Sequence, residues 1–126
     1  MKEKLAGKKV LLVDDDERNI YALSVYLEAI DILIITAKDG ADALEKLHAN
    51  KDIDLVLLDM MMPVMDGFET MAAIKEEEGL QKIPVIAVTA RAMKGDKEKC
   101  LEAGAWDYIA KPLDMTKLIE LMAKWV

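Results

Sequence analysis

The 126 residues predict a doubly wound α/β domain: a five-stranded parallel sheet in the order 2-1-3-4-5, covered on both faces by five helices. Two observations carry this reading. Short apolar blocks rich in branched residues recur along the chain, and they are continuous rather than alternating. That is the pattern of strands buried on both faces. Between them lie segments with helical spacing of apolar residues, and parallel strands need such crossovers.

Met1–Lys9 is mostly charged, and Met1–Gly7 reads as an N-terminal tail or linker remnant, leaving 8–126 as the folded domain. The first strand is Val10-Leu11-Leu12-Val13, followed by a helix whose stripe is Ile20, Leu23, Leu27 and Ile30. The second is Ile32-Leu33-Ile34-Ile35, followed by a helix carrying Ala43, Leu44 and Leu47. The third is Leu55-Val56-Leu57-Leu58, with Phe68, Met71, Ala72 and Ile74 on the helix after it. The fourth is Val85-Ile86-Ala87-Val88, then a helix with Met93, Cys100, Leu101 and Ala103. Tyr108-Ile109-Ala110 is a weaker fifth strand, and Met115, Leu118, Ile119, Met122 and Trp125 stripe the last helix. Gly40, Gly67, Gly79 and Gly104 fall near helix ends, and Pro63, Pro84 and Pro112 at junctions.

Composition narrows the function classes. With 17 Lys+Arg against 24 Asp+Glu the net charge is −7. Such a chain lacks the diffuse positive field of non-specific nucleic-acid binders, but it can attract a divalent cation. The single cysteine, Cys100, excludes an internal disulfide and a multi-cysteine metal site. No apolar run approaches the ~20 residues of a membrane helix, and no signal peptide opens the sequence.

In open parallel sheets, ligands bind beyond the carboxyl ends of the strands. Strand 1 ends in Asp14-Asp15-Asp16, strand 3 in Asp59, strand 4 in Thr89 and strand 5 in Lys111. One aspartate of the run suffices to cap the following helix. The others, with Asp59 on the neighbouring strand, repel one another unless a cation joins them, and Mg²⁺ takes oxygen ligands of this kind. Asp59 stands between Leu55-Val56-Leu57-Leu58 and Met60-Met61-Met62, without the polar company of a surface turn. That marks a partly buried carboxylate able to ligate a metal or to attack phosphorus. A hydroxyl at Thr89 and an ammonium at Lys111 supply the charge stabilisation phosphoryl transfer needs. Taken singly, Thr89 is an ordinary strand residue and Lys111 an ordinary surface lysine; the conjunction carries the reading.

The ordered set Val10-Leu11-Leu12-Val13-Asp14-Asp15-Asp16, Leu57-Leu58-Asp59-Met60-Met61-Met62-Pro63-Val64-Met65-Asp66-Gly67, Val88-Thr89-Ala90 and Tyr108-Ile109-Ala110-Lys111-Pro112 resembles the response-regulator receiver domain of two-component signalling. Leu5-Ala6-Gly7-Lys8-Lys9, Arg91-Ala92-Met93-Lys94-Gly95-Asp96 and the Lys124-Trp125 ending are most similar to receivers of hybrid sensor histidine kinases. The resemblance implies a flavodoxin/receiver-like fold. It implies Asp59 as phosphoacceptor from a phosphohistidine, with Asp14, Asp15, Asp59 and the Met61 backbone carbonyl around Mg²⁺, and Asp16 as helix cap. Thr89 and Lys111 would contact the phosphoryl group, Thr89 and Tyr108 would form the switch, and the Lys111–Pro112 bond would be cis. The output would be the surface of helix 4, strand 5 and helix 5. The donor would be a histidine kinase or a histidine phosphotransfer domain, met by the exposed part of helix 1 (Arg18, Asn19, Tyr21, Ala22, Tyr26). The domain would be cytoplasmic, monomeric when isolated, without direct contact to nucleic acid or membrane, and no enzyme beyond assisting its own phosphorylation and dephosphorylation.

Three other readings fit less well. A phosphatase of the haloacid-dehalogenase type shares the Asp14/Asp16 spacing, but Arg18 stands where Thr or Val belongs. A flavodoxin-like carrier needs a Ser/Thr/Gly-rich phosphate loop where the aspartates lie. A pseudo-receiver would not keep Asp14, Asp15, Asp59, Thr89 and Lys111 together.

Overall fold

The computed structural model describes residues 2–60, 66–89, 96–111 and 113–126 (for Lys2 and Asp96, the backbone). Five parallel strands, β1 (Lys9–Val13), β2 (Leu33–Ala37), β3 (Leu55–Asp59), β4 (Val85–Thr89) and β5 (Asp107–Ala110), form one sheet in the order β2-β1-β3-β4-β5. The helices are α1 (Lys2–Leu5), α2 (Glu17–Glu28), α3 (Gly40–Ala49), α4 (Gly67–Glu76), α5 (Asp96–Ala103) and α6 (Met115–Trp125), with a 3-10 turn at Glu78–Leu80. The predicted order and alternation hold. The five predicted helices are α2 to α6, so predicted helices 4 and 5 are α5 and α6.

The sheet separates two apolar layers because successive strand residues point to opposite faces. Leu11, Val13, Val56, Leu58, Val85 and Ala87 pack with α3, α4 and α5, where Cys100 is buried as its place on the apolar stripe predicts. Val10, Leu12, Leu55, Leu57, Ile86 and Val88 pack with α2 and α6. Strands β3 and β4 are buried along their full length. The edge strand β2 is not: Leu33 is 55% exposed, so continuous apolar character overstates burial where a neighbour exists on one side only.

The N-terminal segment also departs from expectation. Residues 1–7 read as a tail, yet Leu5 is fully buried in the layer that holds Leu27, Leu118 and Met122, and α1 packs on α6. The physical cause is the turn at Gly7, whose φ of +81° brings its N–H to the Asp31 carbonyl at 2.8 Å. That left-handed conformation costs glycine little. It folds Leu5, which follows the charged run Lys2-Glu3-Lys4, back into the core.

Four helices start on aspartate caps. Asp16, Asp39, Asp66 and Asp114 accept backbone N–H groups of α2, α3, α4 and α6 respectively. Asp16 thereby takes the capping part of the acidic run. His48, expected to be solvated, is half-exposed and lies with Nε2 2.6 Å from Glu77 Oε2.

Candidate functional site

Register builds the site. Val13 lies opposite Leu58, so the residues after them, Asp14 and Asp59, leave adjacent strands at the same level. Asp59 in turn pairs with Val88, and Thr89 with Ala110, which sets Thr89 and Lys111 at the same edge. The ladder runs past the strand ends: Asp14 N–H donates to the Ala37 carbonyl at 3.1 Å, Met60 N–H to Val88 at 3.0 Å and Lys111 N–H to Thr89 at 2.7 Å. These bonds fix the backbone that carries the polar side chains.

Four side chains therefore meet at one point. Carboxylate oxygens of Asp14, Asp15 and Asp59 lie within 4.8 Å of one another. Lys111 Nζ sits 3.6 Å from Asp14 Oδ2 and 3.6 Å from Asp59 Oδ2. Asp14 and Asp59 are buried, Asp15 is exposed, and Thr89 is buried at the end of β4. Asp14 Oδ1 also accepts the Asp16 N–H at 2.9 Å, which anchors the acidic loop as it enters α2. Tyr108, one residue before Ile109 and so on the opposite face, is partly buried against the α3–α5 layer. The Met61 carbonyl, Arg91 and the Lys111–Pro112 bond lie outside the described residues.

Electrostatics follow from the count. Among the described residues three carboxylates face the Lys111 ammonium, and two of them are nearly dry. Like charges this close in a medium of low polarisability repel strongly. An all-oxygen donor set with one solvent-facing member is what a hard divalent cation takes while keeping several waters. The residues present fit Mg²⁺ by the chemistry of the donors and by their spacing.

Gly67 was visible in the sequence as punctuation and as the end of the motif around Asp59, without a structural reason. A Cβ at Gly67 would meet Met60 Cα and Sδ at 2.5 Å, so its missing side chain lets the start of α4 approach the backbone just after Asp59. A second unpredicted feature is an apolar groove flanking the acids, floored by Leu12 and Leu57. The signal for it was present: each of these leucines stands two residues before a site aspartate.

The fold, with acids, a hydroxyl and an ammonium gathered at one edge of the sheet, is that of a receiver domain of two-component signalling. Residues 10–123 match the family model described as response regulator receiver domain, and the chain belongs to that family. It is 41% identical to hybrid signal transduction histidine kinase I of Dictyostelium discoideum, a match covering 91% of this chain and 7% of that relative. It is 37% identical to the polar-differentiation response regulator DivK of Brucella ovis, covering 94% of this chain and 96% of the relative. The receiver domain of sensor histidine kinase PA1611 of Pseudomonas aeruginosa, solved with magnesium coordinated in the active-site cleft, superposes with a TM-score of 0.86 at 33% identity, covering 95% of this chain and 98% of the other. The receiver domain of Saccharomyces cerevisiae Ssk1, solved with the histidine phosphotransfer protein Ypd1, gives 0.88 at 26%, covering 96% and 90%. No helix among the described residues is long and apolar enough to cross a membrane.

Proposed function

We propose that this receiver domain accepts a phosphoryl group on Asp59 from a phosphohistidine, carried by a histidine kinase or a histidine phosphotransfer domain. The single observation that supports it most is the convergence of Asp14, Asp15 and Asp59 with Lys111 spanning two of them. The complex of the Ssk1 receiver with Ypd1 supports the class of donor. The exposed side of α2, with Tyr21 72% exposed, is the proposed docking face for it.

In this reading Asp14, Asp15 and Asp59 hold Mg²⁺, joined by the Met61 carbonyl. The ion, when bound, offsets the clustered carboxylates and the charge of an incoming phosphoryl group. An Asp59 oxygen forms the new O–P bond as the N–P bond of the donor breaks, and the imidazole leaves with the electron pair. Lys111 stabilises the equatorial oxygens as a point charge. The Thr89 hydroxyl then donates to a phosphoryl oxygen. Its movement opens space for Tyr108 to turn inward, and the surface of α5, β5 and α6 responds. Phosphorylation thereby biases a two-state element by adding charge and acceptors at one point. The domain works in the cytoplasm as a monomer and does not itself contact nucleic acid or membrane.

Incubation with a small-molecule phosphodonor and Mg²⁺, followed by intact-mass measurement, tests the assignment. One phosphoryl group per chain is expected, with none on Asp59→Asn. Undiminished incorporation by that variant overturns the reading.

A further inference from the structure

Strand β2 ends the sheet on one side, with β1 as its neighbour on the other. Alternation along a parallel ladder decides which of its backbone groups are left over. Leu33 N–H donates to the Lys8 carbonyl at 2.8 Å, and the Ala37 carbonyl accepts from Asp14 N–H at 3.1 Å, so Leu33, Ile35 and Ala37 face β1. Ile34 and Thr36 therefore turn their N–H and C=O groups to the open edge, in one row with those of Ile32. Two groups of this row are taken within the chain. Ile32 N–H donates to the Leu27 carbonyl at 3.2 Å, and Lys46 Nζ donates to the Thr36 carbonyl at 3.2 Å. The groups left on the open edge are the Ile32 carbonyl, both groups of Ile34 and the Thr36 N–H.

An open edge of this kind is a template for another strand. Its leftover groups match themselves when the strand is reversed. With a twofold axis at Ile34, the two Ile34 residues exchange both of their hydrogen bonds, and each Thr36 N–H meets the Ile32 carbonyl of the other copy. None of these bonds displaces the Leu27 carbonyl or Lys46. An axis at Ile35 would instead set Ile34 N–H against the Thr36 carbonyl that Lys46 holds.

The side chains agree with that register. Leu33 is 55% exposed, and alternation puts it on the same face as Ile35, which is partly buried against the α3 layer. Across the axis each Leu33 would stand opposite Ile35 of the other copy, at the closer, non-hydrogen-bonded position where apolar pairs stabilise most. Asp31 and Lys38 are exposed just beyond opposite ends of β2. Antiparallel pairing brings each Asp31 beside Lys38 of the other copy, whereas parallel pairing would set like charge against like.

We propose that two copies of this chain associate through their β2 edges, antiparallel and centred on Ile34, into one continuous sheet. One short strand from each copy is small beside the roughly 1,000 Å² total of a stable interface, so the association is weak and the dilute chain stays monomeric. Asp14, Asp15, Asp59, Thr89 and Lys111 take no part, so the inference goes beyond the proposed function and is tested apart from it.

Sedimentation and amide NMR of the full chain, over a dilution series from low micromolar to millimolar, test it. The sedimentation coefficient should rise with concentration. Amide shifts should centre on Ile34 and Thr36, and hydrogen exchange there should slow. A mixture of labelled and unlabelled chain should show an intermolecular Hα contact between Leu33 and Ile35. Leu33→Lys puts a charge on the exposed edge and should remove the concentration dependence. Thr36→Pro deletes an N–H that faces away from β1, a place where an edge strand tolerates proline, and should remove it as well. A coefficient independent of concentration, shifts centred elsewhere, or association undiminished in both variants overturns the proposal. A contact of Leu33 with Ala37 in place of Ile35 moves the axis to Ile35 and overturns it too. Phosphoryl uptake is read separately: its failure with pairing intact strikes the proposed function and leaves this inference standing.

Discussion

The two ends of the sheet solve opposite electrostatic problems. At the carboxyl end, three carboxylates converge on one lysine, and two of them are buried. At the amino end, charges pair with complementary partners. Lys9 reaches Asp52 with its ammonium and Asp54 with its backbone N–H. Asp107 accepts the Trp125 indole N–H at 3.0 Å and the Tyr108 N–H at 2.9 Å, with Lys124 4.0 Å away. Trp106 meets Trp125 edge-on at 5.4 Å, and Lys124 lies over the Trp125 ring. One end closes the fold, and the other gathers like charges that a divalent cation would offset. Like charges converging on a rigid scaffold mark function more clearly than charge density does.

The comparison breaks most visibly at the amino end. If Leu5 is part of the core, Leu5→Ala should cost about 2–5 kcal/mol, the range for emptying a buried leucine site; its full burial beside Leu118 is the basis. Urea denaturation would show the midpoint falling with the slope kept, whereas a true tail would leave the midpoint unchanged. The next effect lies at the carboxyl end. Gly67→Ala places a methyl 2.5 Å from Met60 Cα, a backbone atom that cannot rotate away. Displacing α4 or the end of β3 should cost about 1–3 kcal/mol. It should also slow phosphoryl incorporation at Asp59, since the aspartate stands immediately before the displaced residue.

How much of this was legible beforehand depended on the range of the interaction. The strands were readable because Val10–Val13, Leu55–Leu58 and Val85–Val88 carry their burial in their own composition. The site was readable because a parallel sheet sends every strand end to one edge, so Asp14, Asp59, Thr89 and Lys111 needed no register to be grouped. Leu5 was not readable: its partners lie on α2 and α6, far along the chain, and a lone leucine among lysines has no period. The exposure of Leu33 required knowing that β2 has one neighbour. The Trp106–Trp125 contact joins the turn before β5 to the last helix, and no local pattern links the two. The groove needed a gap between α2 and the entry to α6, which depends on packing and not on pattern.

Removing charge should act in opposite directions at the two ends. Without divalent cation, Asp59→Asn relieves one of three converging carboxylates and the desolvation of a buried charge, against the loss of its contacts, the ion pair with Lys111 among them. The balance should stabilise the chain by about 1 kcal/mol, a rise of a few degrees in Tm. Saturating Mg²⁺ should shrink or reverse that gain, since the wild-type site then binds the ion and draws stability from it. A variant less stable than wild type in metal-free buffer would show that the carboxyl end is not electrostatically frustrated.

The smallest effect is expected where a pair is already satisfied and wet. The Lys9 ammonium, hydrogen-bonded to Asp52, holds that carboxyl below its ordinary 3.8, helped by the local backbone. A carboxyl depressed in the folded state lends stability above its unfolded pKa and loses it as pH falls through the folded value. Lys9→Met should therefore lower the urea midpoint slightly at pH 7, and the difference from wild type should close below pH 3.8. Asp52 is well exposed, so solvent and salt screen the pair, and moderate salt at neutral pH should erase most of the difference. The Lys9 N–H bond to Asp54 belongs to the backbone and survives the substitution, so the variant isolates the ammonium. A midpoint difference that persists undiminished at low pH would mean that Lys9 acts through the packing of its aliphatic stem. The amino end would then owe its order to apolar contact, and charge pairing there would be incidental to it.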